Sequence, residues 1–253
     1  MCNGSLMDKL ISFSLPLMLS GILQLLFNAV DIIVVGRFTG RQALAAVGST
    51  TALINMFVNL FIGISLGANV LAARFFAAKK EREMSETVHT AIAFALVSGI
   101  GMAFIGVAFA RTALELMGTP DDVRQLSALY MRLYFCGMPF FMLYNYGAAI
   151  LRAIGDTKRP LLFLVIAGVA NVALNLLLVI VFHLGVAGVA IGTIISQMIS
   201  SILVLRCLCK AEASYRLHFS KLSIKGVYMK QIFKVGIPAG IQSTVINFSN
   251  VLL

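Results

Sequence analysis

The chain has 253 residues, 60% of them hydrophobic and only 12% charged, with a mean hydropathy of +0.96. Soluble domains are about half apolar and about a quarter charged, so this composition describes an integral membrane protein and sets aside the ordinary soluble classes. The formal charge of +10 does not point to nucleic acid, because the basic residues sit in short stretches between apolar runs, where they encode membrane topology.

A membrane-crossing helix needs ~20 mainly apolar residues. The opening "MCNGSLMDKL" carries little positive charge, and the apolar run behind it lacks a small-residue cleavage site. It therefore reads as a retained first span rather than a signal peptide. The candidate spans are Ile11–Val35, Ser49–Ala73, Thr90–Ala110, Leu133–Leu151, Pro160–Phe182 and Gly185–Leu205. A seventh opens near Val235, and the sequence stops inside it. The tight "HLG" turn after Phe182 makes the fifth and sixth spans antiparallel neighbours. The expected fold is all-α and membrane-integral: a six-helix transmembrane bundle plus the start of a seventh helix. Residues 1–208 are expected to form a six-helix lobe, 209–232 a cytoplasmic loop between lobes, and 233–253 the start of a second lobe.

Fifteen of the basic residues fall on the side of the membrane that holds Lys9, Lys79, Lys158 and the stretch from Arg206 to Lys234. Five fall on the other side: Arg37, Arg41, Arg111, Arg124 and Arg132. The positive-inside rule thus predicts a cytoplasmic N-terminus for a multi-pass protein of the cell membrane. The basic stretch Lys210–Lys234 reads as a linker in preference to a lipid-binding segment.

Two glycine pairs, Gly63/Gly67 and Gly188/Gly192, have the spacing that lets helices approach closely in lipid. A shift of 222 residues superposes Pro16 on Pro238, Leu15 on Ile237 and Asn28 on Asn250, and puts Asp31 on Leu253. The chain thus begins a second copy of its own unit. Six spans separate the copies, so the two would run in the same direction, as parallel transporter repeats do.

The polar residues inside the spans carry the chemistry. Gln24, Asn28 and Asp31 stand at i, i+4 and i+7, so they share one face of the first helix, which Ser20 extends. An aspartate at mid-membrane costs roughly 2.5–3.5 kcal/mol on insertion scales, and such groups face a bundle interior or a wet cavity. Two readings of Asp31 stand side by side: an ion-binding carboxylate, or a helix-end residue that snorkels outward or pairs with Arg37. Asn171/Asn175, Thr193/Gln197 and Asn55/Asn59 form matching i, i+4 pairs in three other spans. Each pair alone serves as a hydrogen bond between helices; four polar faces together predict a polar cavity. Pro16 and Pro139 are candidate kink sites.

Other chemistries find no support. Cys2, Cys136, Cys207 and Cys209 lack ligand spacing, and His89, His183 and His218 are scattered, so no metal site is expected. There is no phosphate-binding GxxxxGK[ST] loop and no assembly of acid, base and nucleophile, so the chain does not read as an enzyme.

The strings "VDIIVVGRFTGRQALAAVG", "ELMGTPDDV", "YMRLYFCGMPF", "LRAIGDTKRP", "NVALN" and "VGIPAGIQ" resemble the multidrug and toxic compound extrusion (MATE) transporters, in the family's order and from about Leu10 to Leu253. The resemblance implies a twelve-helix protein of two six-helix lobes around a central cavity. Such proteins exchange cationic or aromatic organic compounds for H⁺ or Na⁺ and use no cofactor beyond that ion. On this resemblance Asp31 matches the first-helix aspartate that couples ion movement. Asn171 and Thr193 match its polar partners, and Tyr130 a fourth-helix tyrosine. Asn175 stands where some members carry a second aspartate, so Asp31 is left as the one carboxylate deep in the lobe. With Gln24, Asn28 and Gln197 these residues make up the predicted cavity. A lipid-linked saccharide flippase of the same superfamily is the alternative transporter; spans almost free of Lys and Arg disfavour it. A membrane subunit that transports nothing alone is the alternative outside transport. The expected partners are small organic cations, the bilayer, and either a missing second lobe or a second copy of the chain.

Overall fold

Long apolar runs in lipid must satisfy their backbone polar groups internally, so they fold as helices. The computed structural model describes residues 6–211 and 214–252; Cys2 and Leu253 lie outside them, as does the side chain of Asn250. Its helices are α1 (Leu6–Phe38), α2 (Arg41–Ala77), α3 (Glu81–Leu116), α4 (Asp121–Cys136), α5 (Met138–Ala153), α6 (Lys158–Leu176), α7 (Gly185–Cys209) and α8 (Gly226–Leu252). Among the described residues, five helices are long and apolar enough to cross a membrane, and α4 with α5 makes a sixth, bent span.

The fourth span departs from the expected single helix over Leu133–Leu151. Its helix begins earlier, at Asp121, and breaks at Gly137 with a bend of 45°. Pro139 does not kink a helix interior. It sits in the first turn of α5, where its missing N–H removes no intrahelical bond. The break keeps its backbone satisfied: the Gly137 N–H donates to the Tyr134 carbonyl at 3.0 Å, and the Gly137 carbonyl accepts from the N–H groups of Phe140 and Phe141, each at 3.1 Å. Pro16, in contrast, lies inside α1, and the Ser20 hydroxyl donates to its carbonyl at 2.8 Å.

Beyond α6 a π-helical turn, Leu177–Val181, leads into the "HLG" reversal, where His183 (φ 53°) and Gly185 (φ 56°) take left-handed conformations. This turns α7 back along α6 as an antiparallel neighbour. The π turn was not expected. The early glycine pair has a direct packing role. Gly63 opposes Gly240 of α8, and Gly67 faces the Ile232 carbonyl and Gly236, so a Cβ at either position would overlap the α8 backbone. Helix α8 thereby lies along α2 with backbone against backbone.

The segment between α7 and α8 is fastened to the start of α3. Leu217 is buried, and its N–H donates to the Leu208 carbonyl at 3.1 Å. The His218 N–H donates to His89 Nε2 at 3.1 Å, and the Lys225 N–H to Thr90 Oγ1 at 3.3 Å. Glu86 accepts from the Tyr228 hydroxyl at 2.7 Å and pairs with Lys225 Nζ at 2.6 Å. The His89 imidazole stacks on that of His218, with its Nδ1 2.7 Å from the Ser85 carbonyl.

Two outcomes follow from this packing. Gly63→Val should cost roughly 1–3 kcal/mol through overpacking, read as a lower unfolding midpoint in detergent. Gly101→Val, at a position with open space around it, should leave the midpoint unchanged. The second outcome concerns pH. Desolvation, with Arg216, Lys221 and His89 nearby, holds the His218 imidazole below its ordinary value. The folded state therefore prefers the neutral ring. Its contribution to linker docking is complete above pH ~6.5 and is lost as pH falls below that. Amide exchange over residues 214–225, corrected for intrinsic rate, should accelerate on acidification through this window.

Candidate functional site

Helix α1 is seated on α6 by shape. The Phe27 ring occupies the space where a Cβ on Gly168 would stand. This contact turns the polar face of α1 toward α6 and α7. There the Asp31 carboxylate accepts a short hydrogen bond from the Asn175 side-chain amide of α6. The same Asn175 Nδ2 donates to Asn171 Oδ1 at 3.2 Å, Asn171 Nδ2 donates to Thr193 Oγ1 at 3.4 Å, and the Thr193 hydroxyl donates to the Val189 carbonyl at 3.0 Å. One chain of hydrogen bonds therefore runs from α1 through α6 to α7.

Asn175 is fully buried, and its Oδ1 has no hydrogen-bond partner. That oxygen sits where a Cβ on Gly192 would be, so the glycine makes room for the amide. An unpaired buried acceptor beside a carboxylate is costly unless something electropositive joins it.

The network borders a cavity of about 70 Å³. Pockets for drug-sized ligands run about 300–1,000 Å³, so this space is too small for one and suits an ion with a few waters. Gln24, Asn28, Asp31, Asn171, Thr193 and Gln197 all line it, and Asn175 stands directly behind Asp31. No Lys or Arg is among the lining residues. Asp31 takes its hydrogen bond from Asn175 rather than pairing with Arg37, which is exposed at the end of α1. Among the described residues, no group of three or more His, Cys, Asp or Glu is placed to hold a metal ion.

Two expectations are placed differently. Asn55 is exposed, and neither it nor Asn59 lines this cavity. The fourth wall comes from α5, through Phe141 and Tyr144, whose hydroxyl donates to the Pro160 carbonyl at 3.1 Å. Helix α2 spends its glycine face on α8 instead. Tyr130 is buried on α4 beside Tyr134, with ring centroids 6.1 Å apart, and does not line the cavity. Tyr134 faces Thr193 and Gln197 across an adjoining gap. Ser196 and Ser200 also line the cavity. With Thr193 and Gln197 they complete an i, i+3, i+4, i+7 face, so the signal was present in the spacing.

A bundle of membrane-crossing helices around a small polar cavity with a single carboxylate defines a multi-pass membrane protein, and comparison with known proteins narrows the class. The family model MatE matches residues 16–177, and the chain belongs to that family. It is 33% identical over 248 residues to the probable multidrug resistance protein YoeA of Bacillus subtilis (strain 168), covering 94% of this chain and 53% of that protein. It is 22% identical to the multidrug export protein MepA of Staphylococcus aureus (strain bovine RF122 / ET3-1), over 95% of this chain and 53% of that protein. A crystal structure of MATE in the bent conformation superposes with a TM-score of 0.90 at 23% identity, over 98% of this chain and 55% of that one, a likeness that shows the fold. The chain spans about half the length of the curated relatives it matches.

The hydrogen-bond chain makes a non-additive prediction. Asn175→Leu strands the half-buried Asp31 carboxylate and should destabilise the fold by about 1–3 kcal/mol. Adding Asp31→Leu removes the other partner and should restore most of that loss, as read by denaturant unfolding in detergent.

Proposed function

We propose that this chain forms one lobe of a secondary active exporter, in which Asp31 takes up H⁺ or Na⁺ in exchange for cationic or aromatic organic compounds. The observation that carries this reading is the pairing of Asp31 with a small cavity that amides and hydroxyls line together with apolar residues, free of basic side chains. The names of the relatives, a probable multidrug resistance protein and a multidrug export protein, support the substrate class. A cavity without Lys or Arg also favours cationic over anionic cargo, which weighs against a flippase for anionic head groups.

The mechanism follows from how α1 is held. Much of that helix is uncovered, with Leu25 71% and Met18 64% exposed. The Phe27–Gly168 contact and the Asp31–Asn175 hydrogen bond fasten it to the lobe. A proton or cation on Asp31 changes the second fastening, and Pro16 lowers the cost of bending the helix below it. Gln24 and Asn28 lie on the same face and are exposed, so a cargo touching them feels the position of α1. Ion and cargo are thereby linked through one equilibrium, each favouring a different placement of the helix. The lobe lies in the cell membrane with its N-terminus in the cytoplasm, as the fifteen-to-five distribution of basic residues supports. The counterpart that completes the cavity is a second lobe, as the family resemblance implies, or a second copy of this chain.

The test is gradient-driven efflux of a fluorescent organic cation from vesicles that carry the chain with its counterpart, under imposed H⁺ and then Na⁺ gradients. Asp31→Asn should fold and lose the efflux. Undiminished gradient-driven efflux in that variant would overturn the role of Asp31.

A further inference from the structure

A second, larger cavity of about 450 Å³ opens between α3 and α4, at the end of the bundle away from the α7–α8 linker. Arg111 of α3 and Arg124 and Arg132 of α4 line it, three of the five arginines that the sequence places on that side, against one carboxylate, Asp121. Their donors are unequally committed. Arg124 gives Nε and Nη2 to the Thr119 carbonyl at 3.3 and 2.9 Å and pairs with Asp121 through Nη1. Arg111 gives only Nε, to Glu115 at 3.0 Å, which leaves both terminal amino groups. Among the described residues, Arg132 makes no hydrogen bond or ion pair. The cavity therefore holds one uncompensated guanidinium and one half-used one, the donor set that matches phosphate oxygens.

Depth supplies the second observation. Arg111 directly follows the apolar stretch Thr90–Ala110, and Arg132 directly precedes Leu133–Leu151 on the bent α4–α5 span. In the folded chain Arg111 lies five residues before the end of α3 and Arg132 eleven residues into α4, on the outer parts of helices whose inner parts supply the ~20 residues that cross a hydrocarbon core, toward the level of the lipid phosphates. Only two helices wall the cavity, and Leu129 beside the arginines is 44% exposed, so it faces the perimeter of the bundle rather than the Asp31 site.

We propose that this cavity binds the phosphate of an anionic phospholipid from the leaflet opposite the α7–α8 linker. The guanidinium groups of Arg111 and Arg132 take the phosphate oxygens, Gln125 borders the head group, and Leu129 meets the start of an acyl chain. A soluble anion has the same oxygens but nothing to set beside Leu129.

The experiment uses the 253-residue chain in detergent, titrated with phosphatidylglycerol, with phosphatidylcholine of the same acyl chains, or with inorganic phosphate. Retained lipid is read by native mass spectrometry and stabilisation by the unfolding midpoint. Phosphatidylglycerol should be retained and should stabilise; the other two should do neither. Arg111→Gln with Arg132→Gln should weaken phosphatidylglycerol binding roughly 30-fold, about fivefold per arginine. Arg37→Gln with Arg41→Gln removes the same charge from the same end outside the cavity and should leave the affinity unchanged. Equal retention of phosphatidylcholine, displacement of the lipid by inorganic phosphate, or equal loss in both double variants would overturn the proposal. The comparison of the three ligands on the unsubstituted chain stands whether or not the variants fold.

Discussion

A carboxylate inside a membrane protein must be given partners, and the hydrogen bond from Asn175 to Asp31 is where this chain does so. It joins α1 to α6, and through Asn171 and Thr193 it reaches α7. Without it, the lobe would carry a half-buried carboxylate with no donor facing it, and α1 would be held by apolar packing alone, through Phe27 on Gly168 and through Val34 and Val35 in the core. An amide is a fitting partner because it donates to the carboxyl group without bringing a charge of its own, and the unpaired Asn175 Oδ1 adds a second electronegative atom alongside.

Glycine makes this arrangement possible. Gly168 yields its side-chain space to Phe27, and Gly192 yields its own to the Asn175 oxygen. Gly63 and Gly67 do the same for the backbone of α8. In lipid, burial of apolar surface gives little drive to associate, so close approach through missing side chains decides which helices touch. The result is a division of labour. Helix α2 turns toward α8, while α1, α5, α6 and α7 surround the polar cavity.

The spans and the polar face of α1 were legible in the sequence for a physical reason. Lipid demands about twenty apolar residues per crossing, and any polar residue admitted there must be placed on a shared face. That logic marks the separate polar faces that carry Asp31, Asn171 with Asn175, and Thr193 with Gln197. Periodicity says which residues share a face, but not which helix that face meets. Asn55 and Asn59 have the same spacing as Asn171 and Asn175, yet α2 carries them away from the cavity. The break at Gly137 was hidden for a related reason, since Pro139 is as compatible with a kinked interior as with a new first turn. The docking of the linker joins His218 to His89 and Lys225 to Thr90 across more than a hundred residues. No local pattern announces such a contact.

The family match and the long exposed stretch of α1 fit one account, in which an ion on Asp31 governs how that helix is held. The most direct measurement is infrared difference spectroscopy of the carboxyl region as H⁺ or Na⁺ is added to the folded protein, with Asp31→Asn as the reference. The account predicts a carboxyl band that responds to the coupling ion and is absent from the Asp31→Asn variant. Titrations with both ions that produce no Asp31-dependent change would contradict it.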